Sequence, residues 1–183
     1  MATEDMDRTI LFWRDLLEMR MIAGLGEPGF RHYLFEIAVN DVIAFFEWDG
    51  VEAAAPRVHG TPVKGPFLFD HVSFGVENSD DLWELKDKLV AAGFPCTDVK
   101  DHGFIHSVYA HDPNGLPIEF SWQVDGIDIH KNPILADSLP SEIAKEGAEP
   151  QLARWPKVTN PTEESKKNII KSVGSELDHC SDK

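Results

Sequence analysis

The chain has 183 residues, 42% of them hydrophobic, enough to bury a core in one domain or in two small repeated modules. Seventeen Lys and Arg against 32 Asp and Glu give a formal charge of −15, with no basic cluster to offset it. Such a surface repels phosphate backbones and anionic membranes, which argues against nucleic acid and membrane as partners. No apolar run approaches the roughly 20 residues that span a bilayer, and the charged start Met1–Arg8 lacks the apolar core of an export signal. Two cysteines, Cys96 and Cys180, make no disulfide framework, so a reducing cytoplasm is the expected compartment.

Taken in chain order, the first periodic segment is Asp5–Met21. Its apolar residues Ile10, Trp13, Leu16, Leu17 and Met21 recur near 3.6 and predict a helix, with Asp5 or Asp7 as N-cap. Phe30–Ile37 and Asp41–Trp48 read as strands around a turn at Val39–Asn40, followed by the Pro/Gly-rich stretch Gly50–Pro66. A third strand, Phe69–Val76, leads into a helix over Asn78–Ala92, carried by Leu82, Leu85, Leu89 and Val90. Asn78 or Ser79 caps it, and Gly93 supplies a left-handed stop. Strands over His106–His111 and Leu116–Trp122 flank Asp112-Pro113-Asn114-Gly115, in which Pro presets φ and Asn and Gly tolerate positive φ.

The second half thus reads strand, helix, strands, and the first half repeats it without an opening strand. Helix laid on helix sets Leu16 on Leu89 at an offset of 73, and Ile43-Ala44-Phe45 falls on Ile118-Glu119-Phe120. The organisation expected is a first module over 1–50, a linker over 51–66, a second module over 67–125, and an extended, partly disordered arm over 126–183. Ile134, Leu135 and Trp155 are the residues expected to pin that arm to the body.

The run Phe69-Asp70-His71-Val72-Ser73-Phe74-Gly75-Val76, the capped helix after it, and Asp112-Pro113-Asn114-Gly115-Leu116-Pro117-Ile118-Glu119-Phe120 together resemble the βαβββ module of the vicinal oxygen chelate superfamily. That group includes glyoxalase I, fosfomycin and bleomycin resistance proteins, and extradiol dioxygenases. The resemblance covers residue 1 to about 125 and is more specific in the second module. It implies an α+β fold in which two βαβββ modules, the first lacking its opening strand, curve into an open barrel-like cleft. It also implies a divalent metal (Fe, Mn, Zn or Ni), with His71 matching the ligand histidine of a first strand and Glu119 the ligand carboxylate of a last strand.

In the first module Ala44 stands where Glu119 stands in the second, and Glu47 falls on the opposite face of its strand. The partner of His71 would precede Met1, where a histidine would complete a two-His, one-carboxylate set. His102 and Tyr109, ahead of Glu119, are similar to the acid/base histidine and the hydrogen-bonding tyrosine of extradiol dioxygenases. His32, His106 and His111 are weaker candidates, and Cys96 has no histidine partner to activate it. Phe45, Phe46, Trp48, Phe120 and Trp122 read mainly as core, with a few walling a pocket. Two functions follow. One is metal-dependent lyase, isomerase or dioxygenase chemistry on a small substrate with vicinal oxygens. The other is metal-free sequestration of a small molecule, as in bleomycin resistance proteins. A homodimer is expected in either case, because an incomplete first module leaves a strand edge and the aromatic strand Asp41–Trp48 poorly covered.

Overall fold

The computed structural model describes residues 1–65 and 69–170, so Cys180 lies outside the described residues. Asp5 caps the first helix, its side chain accepting from the Arg8 N–H at 3.0 Å. The helix α1 (Met6–Ile10) continues as a π-helical segment, Leu11–Leu16. This wider winding turns the adjacent Phe12 and Trp13 both inward. The helical stretch closes at Leu17, short of the expected Met21. Met21 instead opens a strand, β2 (Met21–Glu27).

The first sheet holds β1 (Ala2–Thr3), β2 (Met21–Glu27), β3 (Phe30–Ala38) and β4 (Asp41–Trp48) in the order β1-β4-β3-β2. β2 is not expected as a strand, and only its first residue, Met21, is assigned, to the end of the helix. Its sequence lacks alternation and carries two glycines, so pairing with β3 decides its conformation rather than its own pattern. The opening strand, expected to be missing, is present as the two-residue β1, parallel to β4 with Ala2 opposite Phe46 and Thr3 opposite Glu47. Two residues are too few to show a period, and the ladder offered by β4 defines them.

The second sheet repeats that order with β5 (Val72–Gly75), β6 (Lys100–Asp101), β7 (Ile105–His111) and β8 (Pro117–Gln123), arranged β5-β8-β7-β6 with β5 parallel to β8. β5 is shorter than the Phe69–Val76 expected. Its helix α2 (Ser79–Ala91) is capped by Asn78, which accepts from the Asp81 N–H, and is stopped by Gly93 at φ +87°.

On the last strand of each module, alternate residues face the core: Ile43 and Phe45 on β4, Ile118 and Phe120 on β8. Trp13 joins the two modules, its ring 5.2 Å from that of Phe45 and 5.7 Å from that of Phe74. Phe46 and Trp48 depart from the core reading: they stack on each other across the opposite face of the first sheet, and Trp48 is exposed.

A buried polar clasp also crosses between the modules. The Thr3 hydroxyl donates to Asn114 Oδ1 at 2.7 Å, Asn114 Nδ2 donates to Thr9 Oγ1 and to Asp112 Oδ2, and Trp13 Nε1 donates to Asp112 Oδ2. Asp112 Oδ1 accepts from the N–H groups of Asn114 and Leu116, which closes the turn read from the sequence. Gly115 in that turn has φ +78°, and a Cβ there would lie 2.0 Å from the Ala54 carbonyl oxygen, so only glycine fits.

From Gly126 the chain forms a separate unit whose described residues include one-turn 3₁₀ helices at Ala144–Glu146, Leu152–Arg154 and Glu164–Lys166. Ile134, Leu135 and Trp155, expected to be buried anchors, are exposed. Among the described residues no helix is long and apolar enough to cross a membrane.

Candidate metal centre

Strand register assembles the site. Because β5 pairs with β8 and β7 with β8, Ser73 and Tyr109 both stand opposite Glu119 and share its face, away from the core residues Ile118 and Phe120. His71 sits just ahead of β5 and turns toward that same face. Its Nε2 lies 3.2 Å from Glu119 Oε2, while its Nδ1 lies 2.7 Å from Asp70 Oδ2.

Glu119 is 5% exposed, so its charge depends on its neighbours. Burial acts to raise its pKa, but the hydroxyls of Ser107, Ser73 and Tyr109, with His71, outweigh burial and hold the carboxyl below its usual range. Tyr109 donates its hydroxyl to Glu119 Oε1 at 2.7 Å. Burial first, then the Glu119 bond and charge, push the Tyr109 pKa up to about 12, so the phenol keeps its proton at neutral pH. With that proton committed to Glu119, the 3.1 Å contact between His102 Nε2 and the Tyr109 oxygen is a donation from His102. His102, Tyr109 and Glu119 form one directed chain. Asp70 lies below the ordinary carboxyl value through its bonds to His71 and to the Gly60 N–H.

Two groups were not anticipated from the sequence. Asp70 orients His71 through its side chain. His59, from the linker, stacks on the Tyr109 ring at 3.4 Å and meets His71 edge-on at 5.9 Å. Burial, then proximity to His71, lowers its pKa. The weaker histidine candidates are elsewhere engaged. His111 Nε2 bonds the Arg57 carbonyl at 2.8 Å, His106 pairs with Asp101 and meets Trp122, and His32 stacks on Phe46 in the first sheet. Glu47 accepts from the Met6 N–H and pairs with Arg31, off the cleft face as its alternation predicts. The Cys96 thiol is pushed up by burial and is a poor nucleophile.

The donor set fits a divalent ion. An imidazole whose Nδ1–H points at Asp70 turns the lone pair of Nε2 toward the Glu119 carboxylate. Two such acceptors face each other stably only across a proton or a cation. Two ligands each about 2.1 Å from one ion stand about 3 Å apart, which is the His71–Glu119 separation. A carboxylate on the far nitrogen is the usual support of a metal-bound histidine. Among the described residues no three His, Cys, Asp or Glu side chains are already gathered about one point. His71 and Glu119 could supply two donors to one ion.

Residues 1–120 match the Glyoxalase/Bleomycin resistance protein/Dioxygenase superfamily, and the chain belongs to it. Solved structures agree on the fold. A glyoxylase/bleomycin resistance protein/dioxygenase domain from Frankia sp. EAN1pec is 19% identical, covers 67% of this chain and 92% of its own, and superposes with a TM-score of 0.56. The fosfomycin resistance protein FosX from Listeria monocytogenes, in a crystal with Mn(II) and sulfate, is 15% identical over 68% of this chain and 88% of its own, with a TM-score of 0.51. No curated protein sequence matches.

Proposed function

We propose that the protein is a metal-dependent enzyme that moves a proton on a small substrate bearing vicinal oxygens, in isomerase or lyase chemistry. The observation that carries this reading is the Asp70–His71–Glu119 arrangement, an oriented imidazole facing a buried carboxylate at ligand spacing. The likeness to FosX, crystallised with Mn(II), supports it. A divalent ion held by His71 and Glu119 would supply Lewis-acid stabilisation of charge developing on the substrate oxygens.

The chain's own residues supply the rest. Asp70 fixes the tautomer and orientation of His71. Tyr109, protonated throughout the neutral range, offers a donor beside the carboxylate, and a substrate oxygen placed there would share that hydrogen bond. His102, donating to Tyr109 from the outer end of the chain, keeps the phenol oriented with its proton toward Glu119. We further infer a homodimer, since the aromatic face of the first sheet, with Trp48 exposed, is apolar surface that proteins usually cover. Two cysteines and an acidic surface suit a reducing cytoplasm.

Isothermal titration of the full chain with Mn(II), Zn(II), Ni(II) and Fe(II) tests the metal reading. Wild type should bind one ion per chain, and Glu119→Gln should weaken binding by more than about 100-fold. Equal affinity in the two proteins would overturn it.

A second reading, metal-free binding of a small aromatic molecule, draws on the first sheet, where Ala44 occupies the place of Glu119 beside the stacked rings of His32, Phe46 and Trp48. Ligand affinity that survives chelation and Glu119→Gln would favour it.

A further inference from the structure

The metal reading leaves His71 and Glu119 as a pair. In the first module Ala44 corresponds to Glu119. The element that reaches the pair is the linker. It is fastened at several points along its length. The Ala54 N–H donates to the Asn114 carbonyl at 2.9 Å, and His111 Nε2 binds the Arg57 carbonyl at 2.8 Å. Arg57 Nη2 donates to Asp70 Oδ1 at 3.0 Å, and the Gly60 N–H reaches both Asp70 oxygens. These anchors fall on either side of His59 and leave its ring flat on Tyr109, edge-on to His71.

We propose that His59 is the third protein ligand of the metal, its ring swinging off Tyr109 to join His71 and Glu119. The inference rests on the metal reading above. Three observations carry it. The first is position: the His59 ring meets His71 edge-on at 5.9 Å and is stacked on the tyrosine that is itself bonded to Glu119. The second is the shared carboxylate. Asp70 Oδ2 holds His71 Nδ1 at 2.7 Å and the Gly60 N–H at 2.9 Å, so one group orients a ligand and the peptide next to the other. The third is freedom of motion. The backbone is fixed at Arg57 and Gly60, whereas the ring rests on Tyr109 and against His71 by aromatic contact, so side-chain torsions can carry it inward without unfastening the strap. The resulting set, two imidazoles and one carboxylate, leaves adjacent positions open for two substrate oxygens. Rotation would also uncover the face of Tyr109 for a planar part of the substrate.

The test compares wild type, His59→Ala, His59→Phe and Glu119→Gln by titration with Mn(II) and by the visible absorption of the Co(II) forms. Phenylalanine keeps a ring to stack on Tyr109 and close the strap but has no nitrogen to offer. It therefore separates a ligand from a mere cover, and its metal-free melting temperature checks folding. Both His59 variants should bind Mn(II) at least about 10-fold more weakly than wild type, and the Co(II) band should change in position and intensity. If wild type binds tightly, Glu119→Gln does not, and His59→Phe matches wild type in affinity and spectrum, His59 is only a cover while the metal reading stands. If wild type binds no ion at all, both fall together.

Discussion

Asp70 and His71 are neighbours in the chain that also meet through their side chains, Oδ2 to Nδ1 at 2.7 Å. That contact determines which imidazole nitrogen faces Glu119, and so whether the buried carboxylate has an imidazole lone pair or an N–H before it. Asp70→Asn keeps the size of the side chain but removes the charge, and it should weaken metal binding by about 10- to 100-fold. Mn(II) titration measures the change. Unchanged affinity would mean that Asp70 serves the linker alone.

Tyr109 provides a test by pH. Its folded pKa of about 12 lies above the ordinary tyrosine value of 10.0. The fold therefore favours the protonated phenol, and this contribution is complete below about pH 10, then lost as pH rises toward 12. Spectrophotometric titration should show one of the two tyrosines ionising late, and Tyr109→Phe should abolish that late step. The same variant should lower turnover by about 10²- to 10⁴-fold with metal affinity little changed. A large loss of affinity would assign Tyr109 to the metal instead.

Glu119 acts at the other end of the scale. Its folded pKa is depressed, so its contribution to stability is present above the unfolded carboxyl value and is lost as pH falls through the folded one. The stability difference between wild type and Glu119→Gln should be constant above the ordinary carboxyl value of about 4.3 and shrink as pH falls below it. Parallel curves across the whole range would remove Glu119 from the account of acid stability.

Much of the second module was legible in the sequence because its signals are local. Asn78 and Gly93 bound α2, and the Asp112–Gly115 turn closes through its own side chain and backbone. The alternation that separates Ile118 and Phe120 from Glu119 needs only β8 itself. What escaped was set by distant partners. β1 exists because β4 offers it a ladder, and β2 because β3 does. His59 lies in a Pro/Gly-rich stretch without period, and only tertiary anchors at Asn114, His111 and Asp70 bring it over Tyr109. Asp70 carried a signal that went unread: a carboxylate beside a candidate ligand histidine is a ready second partner for its ring.

The clasp between the modules yields a prediction about stability. Asn114 binds Thr3 and Thr9 and also Asp112, all within a buried cluster. Asn114→Ala strands several of these groups and should cost about 2–4 kcal/mol, seen as a lower midpoint in urea with an unchanged slope. A midpoint within error of wild type would show that water replaces the amide without loss.

The central claim is that His71 and Glu119 share a metal ion, and anomalous diffraction from crystals grown with Mn(II) tests it most directly. The account predicts a single strong anomalous peak within bonding distance of both His71 Nε2 and a Glu119 carboxylate oxygen. A loaded crystal with no peak between those two side chains, or with its ion bound elsewhere, would contradict it.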